Sequence, residues 1–166
     1  MFAFYKKHNN NLYIKLVNLS RNIFFYKDLQ LKDTFETRII LIFIHFSLLL
    51  QIYKKRNKKS FPQDIFDNIF QNIEYHLREL GHGDVSCNKK MKTLSKVFYN
   101  ILLKINDINN DKLELNTNLI KEELFANKND NEEKLIKINE YFTAFYNFCF
   151  VLNDNNMIEG NINFKF

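Results

Sequence analysis

Apolar residues recur at helical spacing along nearly the whole chain, and only the last few positions alternate. The stretch "NLYIKLVNLSR" predicts a first helix, and "NIFFYKDLQLKD" after it reads as an aromatic connector containing a short turn. Asp33 then stands three residues before Glu36, the pattern of a capping box in which each side chain satisfies a free backbone N–H, so a helix is expected to begin there. That helix puts Phe35, Ile39, Ile42, Phe46, Leu49 and Tyr53 on one stripe, with Ile40, Phe43, Ile44 and Leu48 filling most of its other faces. A helix apolar almost all round lies at the centre of a core or in a membrane. The uninterrupted run here is only about 12 residues and contains His45 and Ser47, whereas a span needs about 20, so a buried central helix is the expected reading.

Ser60 and Gln63 form a second capping box around Pro62, which a first helical turn tolerates because its missing N–H would have had no partner there. The helix that follows is expected to bury Phe66, Ile69, Phe70, Ile73, Leu77 and Leu80, and Gly81 supplies a left-handed residue to end it. Asp84 or Ser86 can cap the next helix, whose stripe is Met91, Leu94, Phe98, Ile101, Leu102 and Ile105. Gly81 and Gly83 thus mark a tight corner between two helices. Residues 106–116 are mostly polar and read as a loop. A helix around "NLIKEELFAN" and a longer one after Asp130 follow; Glu133 completes a third capping box, and Leu135, Ile138, Phe142, Phe145, Cys149 and Leu152 form the stripe. "NDNN" stops that helix, and Ile162, Phe164 and Phe166 alternate as in an extended tail pressed on the body. The expected fold is all-α: a compact single-domain bundle of about six helices with a short extended C-terminal tail, residues 1–11 being an N-terminal extension and 12–166 the domain.

Composition sharpens this. A chain of 166 residues is one domain's worth and buries roughly 70% of its unfolded surface; 18 phenylalanines supply a core, while three glycines and one proline are too few for a turn-dense sandwich or barrel. Cys87 and Cys149 lack partners at zinc-finger spacing, so neither a metal site nor a disulfide framework is expected, and a reducing compartment fits best. The N-terminus shows no secretory-signal pattern. Charge is uneven: up to Lys104 there are 18 Lys and Arg against 8 Asp and Glu, a net of +10, and beyond it 6 against 11, a net of −5. A basic front half attracts anionic lipid, RNA or an acidic protein surface, and its sign does not choose among them.

"GHGDVSCNKK" lacks phosphate-loop spacing and puts Asp84 where an anion would lie. His76, Glu79 and His82 have no further ligand at defined spacing, and Cys87 has no patterned histidine partner. His45, on the most apolar helix, is expected to satisfy a backbone carbonyl or a partner side chain, with Thr37 or Arg38 sharing its neighbourhood. Two basic features remain: the run at residues 54–59, which also suits a helix C-terminal dipole, and Lys89, Lys92 and Lys96 at i, i+3 and i+7 with Lys90 beside them. Both read either as solvated faces or as docking surfaces for something acidic; no base-stacking aromatic interleaves the lysines, and no specific DNA reading is expected.

Two blocks carry a family resemblance. "FFYKDLQLKDTFETRIILIFIHFSLLL" holds an aromatic connector, the Asp33-Thr34 helix start with Glu36, then Arg38 and an apolar helix with His45. "FDNIFQNIEYHLRELGHGDVSCNKKMKTLSKVFYNIL" holds a Phe-rich helix, a Leu-Arg-Glu turn with Gly-x-Gly-Asp, a lysine-rich helix start and a Phe-Tyr pair. With "ELFAN", the helix containing Tyr141 and the terminal "GNINF", they resemble the ubiquinol–cytochrome c reductase chaperones, assembly factors of the cytochrome bc1 complex, over most of the chain from about residue 12. The resemblance implies a non-enzymatic chaperone without cofactor or metal that binds newly made cytochrome b and promotes bc1 assembly, with a second assembly factor and the ribosome as further partners. It implies a bacterial-type member at the cytoplasmic face of the inner membrane, or the matrix face of the mitochondrial inner membrane in a eukaryote. Carried to this chain, Arg78, Asp84, Lys89, Lys90, Lys92 and Lys96 are expected to face the client, with Tyr26, Phe25 and Tyr99 as the apolar part. The alternative is a peripheral adaptor docking by its basic face on anionic membrane or ribosomal RNA, and an enzyme using His45 or Cys87 stands furthest from the sequence.

Overall fold

The structure, a computed structural model, describes residues 11–105, 112–126 and 132–166. Eight helices follow in order among the described residues: α1 (Asn11–Ser20), α2 (Ile23–Lys27), α3 (Phe35–Arg56), α4 (Gln63–Glu79), α5 (Asp84–Lys104), α6 (Thr117–Phe125), α7 (Glu132–Val151) and α8 (Asp154–Ile158). The all-α bundle is as expected, with two short helices more than the hydrophobic pattern suggests. One is the turn in the aromatic connector, α2, capped by Asn22 Oδ1 on the Phe24 amide at 3.0 Å. The other is α8, built inside the "NDNN" run read as a plain stop: Asn153 Oδ1 accepts from the Asn156 amide at 2.7 Å and starts a new helix. Among the described residues α1 begins at Asn11, and residues 1–10 of the expected extension lie outside them.

Helix α3 is the axis. By length and composition it could cross a bilayer, but here it is wrapped: every residue from Ile39 to Leu49 is buried, because α1, α5 and α7 pack along it and α4 and α6 complete the shell. Its start differs from the expected box. Thr34 is the cap, its hydroxyl accepting from the Thr37 amide at 3.2 Å, while Asp33 turns to Arg38 and holds its guanidinium at 2.6 and 2.8 Å. A bidentate charged pair outcompetes a single bond to a peptide N–H, and Arg38 holds the Asp33 carboxyl below its usual range. Ser60 likewise is not a cap: α4 starts after Pro62 with no side-chain capping bond. The third box lies in part on Asp130, outside the described residues.

Ring contacts give the helix directions. Along α4, Phe61 meets Tyr53, Phe66 meets Phe46, Phe70 meets Phe43 and His76 meets Phe35, so α4 runs back against α3. Phe98 of α5 sits on Phe43 and Phe46, and Gln51 reaches the Leu102 carbonyl further along. Tyr141 of α7 meets His45, and Arg56 reaches the carbonyls of Cys149 and Leu152. Helices α3, α5 and α7 therefore run the same way and end at one pole of the bundle. Part of the expected loop is also core: Leu113 and Leu115 are buried, and the Asn116 amide donates to Ile105 O at 3.1 Å before its side chain caps α6.

The extended tail is as expected for Ile162, which is fully buried, and Phe164 packs edge-on against Tyr141 and Phe145; Phe166 remains half exposed while touching Phe24 and Tyr141. Gly160 begins this tail at φ +75, and a Cβ there would lie 2.7 Å from Asn11 O and 2.9 Å from Leu12 Cα.

Candidate functional site

The corner between α4 and α5 is built as a Schellman-type stop: Gly81 at φ +94, its amide on Arg78 O at 3.0 Å, and the His82 amide on Leu77 O at 3.2 Å. Gly83 differs from expectation. Its φ of −73 suits any residue and nothing lies within 4 Å of a Cβ there. We therefore expect Gly81→Ala to cost about 1 kcal/mol in chemical denaturation and Gly83→Ala to be neutral or slightly stabilising. Equal effects at the two positions would refute this division of labour.

Arg78 closes the corner, holding Asp84 at 2.5 Å and Glu74 at 2.9 Å, and these two carboxylates keep its guanidinium more firmly protonated than usual. Asp84 thus ties α5 to α4 and does not cap its own helix, which has no side-chain cap; Ser86 instead meets His82 Nδ1 at 2.8 Å. Cys87 is buried beneath, its thiol directed at Glu74 O at 3.9 Å. Arg78 and Asp84, read as client-facing, are largely neutralised by each other.

Beyond the corner, α4 and α5 leave a groove of about 460 Å³. Phe66, Phe70, Met91 and Tyr99 give it apolar surface, and Asp67 and Glu74 put carboxylates on the α4 side. Phe98 lies fully buried behind, 5.7 Å from the Phe66 ring and 5.1 Å from the Phe70 ring. Sequence periodicity assigned Phe66 and Phe70 wholly to the core; they are half-buried, one side on Phe98 and one on the groove. Leu80, also assigned to the core, is 59% exposed at the corner.

Lys89, Lys92 and Lys96 stand exposed on α5, with Lys90 half-buried, and none of them forms an ion pair among the described residues. Their stripe runs on at i+10 to Tyr99, which is 51% exposed and also lines the groove. A lysine ridge and an apolar groove therefore meet at one tyrosine. The other aromatics expected here do not join them. Phe25 is fully buried, its ring against His45, Tyr141 and Phe142, so it offers a client nothing. Tyr26 donates to Ser20 O at 2.6 Å and sits beside Asp33 and Arg38, away from the groove.

His45 fulfils the structural role expected of it. It is fully buried, which pushes its pKa down to about 4, so the ring is neutral; Nδ1–H donates to Leu41 O at 2.7 Å and Nε2 accepts from Tyr141 Oη at 3.0 Å. Thr37 and Arg38 are not its neighbours, being taken by Thr34 and Asp33. Cys149 is buried too, its thiol pushed up to about 12, far from a thiolate at neutral pH. Among the described residues no group of three His, Cys, Asp or Glu could hold a metal ion.

The family profile described as "Ubiquinol-cytochrome C chaperone" matches residues 27–164. The chain belongs to this family. The matched span contains α3 to α8, hence the corner, the ridge, the groove and His45. Among solved structures, a chain described as the crystal structure of the Cbp3 homolog from Brucella abortus shares the fold with a TM-score of 0.71 at 22% sequence identity, over 95% of this chain and 88% of that one. No curated protein matches the chain. The matched span thus holds the α4–α5 groove and the lysine ridge beside it, and buries His45, Cys87 and Cys149.

Proposed function

We propose that this protein is a non-catalytic assembly chaperone that binds newly synthesised cytochrome b through the α4–α5 groove and the adjoining lysine ridge, and passes it on for assembly of the bc1 complex. The observation that carries this reading is the junction of apolar and cationic surface at Tyr99 in a member of the ubiquinol–cytochrome c chaperone family. An unassembled membrane subunit exposes apolar helices joined by charged loops. A chaperone that must later release it needs moderate affinity, which a small apolar groove provides, and rapid, orientated capture, which exposed lysines provide. The chaperone would work on the face of the membrane where cytochrome b is made, the cytoplasmic side of the inner membrane in a bacterial-type member.

Lys89→Glu with Lys92→Glu is expected to leave the helical circular dichroism unchanged, because both side chains are exposed and in no ion pair among the described residues, and to lower capture of cytochrome b by about tenfold at low ionic strength, a deficit that shrinks with added salt. Pull-down from detergent-solubilised membranes measures it. Undiminished capture by the folded variant would remove the ridge from the mechanism.

A further inference from the structure

A second cavity, of about 300 Å³, lies where α1 ends, α3 begins and α4 ends. We propose that it binds a small apolar monocarboxylate, with the carboxylate on Arg21 and the hydrocarbon over Val17, Phe35, Ile39 and Ile42. Helical spacing builds the walls: Tyr13, Val17 and Arg21 follow at i, i+4 and i+8, and Phe35, Ile39 and Ile42 at i, i+4 and i+7, so each set lines the cavity from one helix. The α1 stripe ends in a cation at the rim, and Leu80, 59% exposed, stands at the end of α4. The volume is at the lower end of the roughly 300–1,000 Å³ of small-molecule sites, which sets the scale of the occupant at one compact molecule. No lining residue is shared with the α4–α5 groove, so the two sites are separable by mutation.

The polar groups at this cavity select an anion, and a singly charged one. Two helix C-termini meet here, but their carbonyls are taken. Ser20 O accepts from Tyr26 Oη at 2.6 Å, Val17 O from Ser20 Oγ at 2.7 Å, and His76 O and Arg78 O from the Leu80 and Gly81 amides at 3.0 Å. Asp33, the one carboxylate among the lining residues, spends both oxygens on Arg38. The donors are not matched in this way. Helix α3 presents its N-terminus, where Thr34 caps the Thr37 amide and the amides before it stand ahead of the helical ladder. Arg21 is exposed and forms no ion pair among the described residues, and its charge reaches Tyr13 on α1 and Asp33 before α3. With Arg38 cancelled by Asp33, one positive charge is left over. A carboxylate meets that charge singly and takes two guanidinium N–H donors in parallel. A phosphate monoester brings most of a second negative charge, and no further arginine or lysine lines the cavity to meet it.

The test is isothermal titration calorimetry of the full chain with octanoate as the probe, beside octanol, octylamine and octyl phosphate. Octanoate is expected to bind saturably at one site and to raise the urea unfolding midpoint, and the other three to bind about tenfold or more weakly. Arg21→Gln should lower octanoate affinity by about tenfold and leave the ligand-free urea midpoint unchanged, because the side chain is exposed; Arg21→Lys should recover part of the loss. Leu80→Ser, at an exposed position of the same cavity, should lower affinity by about threefold. Lys89→Glu with Lys92→Glu should leave it intact, which separates this site from general attraction to the lysine ridge, whether or not that ridge binds cytochrome b. Octanoate binding that is absent or unsaturable, that octanol equals, that octyl phosphate surpasses, that Arg21→Gln leaves unchanged or that the ridge variant loses as well would each overturn the proposal.

Discussion

Acidification from pH 7 to pH 4 is expected to weaken the fold by about 3 kcal/mol through His45 alone. Burial lowers the pKa of this histidine from 6.5 to about 4 in the folded protein. Between those two values the unfolded chain binds a proton that the folded chain refuses, so stability is fully present above pH 6.5 and falls as the pH drops towards 4. The cause is geometric: Nδ1 and Nε2 are both engaged, no carboxylate among the described residues pairs with the ring, and Phe25, Phe142 and Phe145 surround it edge-on at 4.8 to 6.0 Å. His45→Leu should remove this pH dependence and still cost about 2 kcal/mol at pH 7, because the buried Tyr141 hydroxyl loses its imidazole acceptor and keeps only the Asn22 side chain beside it. Adding Tyr141→Phe should recover much of that cost, since both partners of the bond are then apolar. Urea unfolding at a series of pH values measures all three. A wild-type slope retained in His45→Leu would show that another group carries the acid sensitivity.

Gly160→Ala is expected to destabilise the fold by about 3 kcal/mol, several times the cost of Gly81→Ala. Both glycines lie at positive φ, so both substitutions carry the left-handed penalty. Only Gly160 also faces backbone: the new methyl would sit 2.7 to 2.9 Å from Asn11 and Leu12, and a main chain cannot swing aside as a lysine tip can. Relief requires the tail or the start of α1 to move, which would disturb Ile162, buried completely, and Leu12. Denaturation midpoints of the two variants decide the point. A cost at Gly160 no greater than at Gly81 would mean that the tail and α1 part easily.

The difference between these glycines shows what the sequence discloses. Gly81 follows a long amphipathic helix and precedes a polar corner, so its role is local and readable. The close approach at Gly160 is made by residues some 150 positions earlier, and no local pattern announces it. The same division holds elsewhere. Stripes on α3, α5 and α7 were legible because each repeats over several turns, and His45 was legible as a polar group where only a satisfied one survives. Capping was misread where a competitor lay nearby: Asp33 had the right spacing to Glu36, but Arg38 offered it two charged bonds and left the cap to Thr34. In the candidate site, the lysine spacing on α5 was visible, whereas the groove beside it was not, because periodicity marks Phe66 and Phe70 as apolar without saying that α5 leaves one side of each uncovered. Phe25 failed as a surface residue for the converse reason: α7, far along the chain, covers it.

The hydrogen bond between His45 and Tyr141 spans 96 positions. At about 5–20 residues per second on the ribosome, the second partner follows the first by roughly 5–20 s. During that interval the most oily segment of the nascent polypeptide has lost the shelter of the exit tunnel but not yet gained that of α7. A member of a chaperone family thus passes, while being born, through an exposed condition of its own.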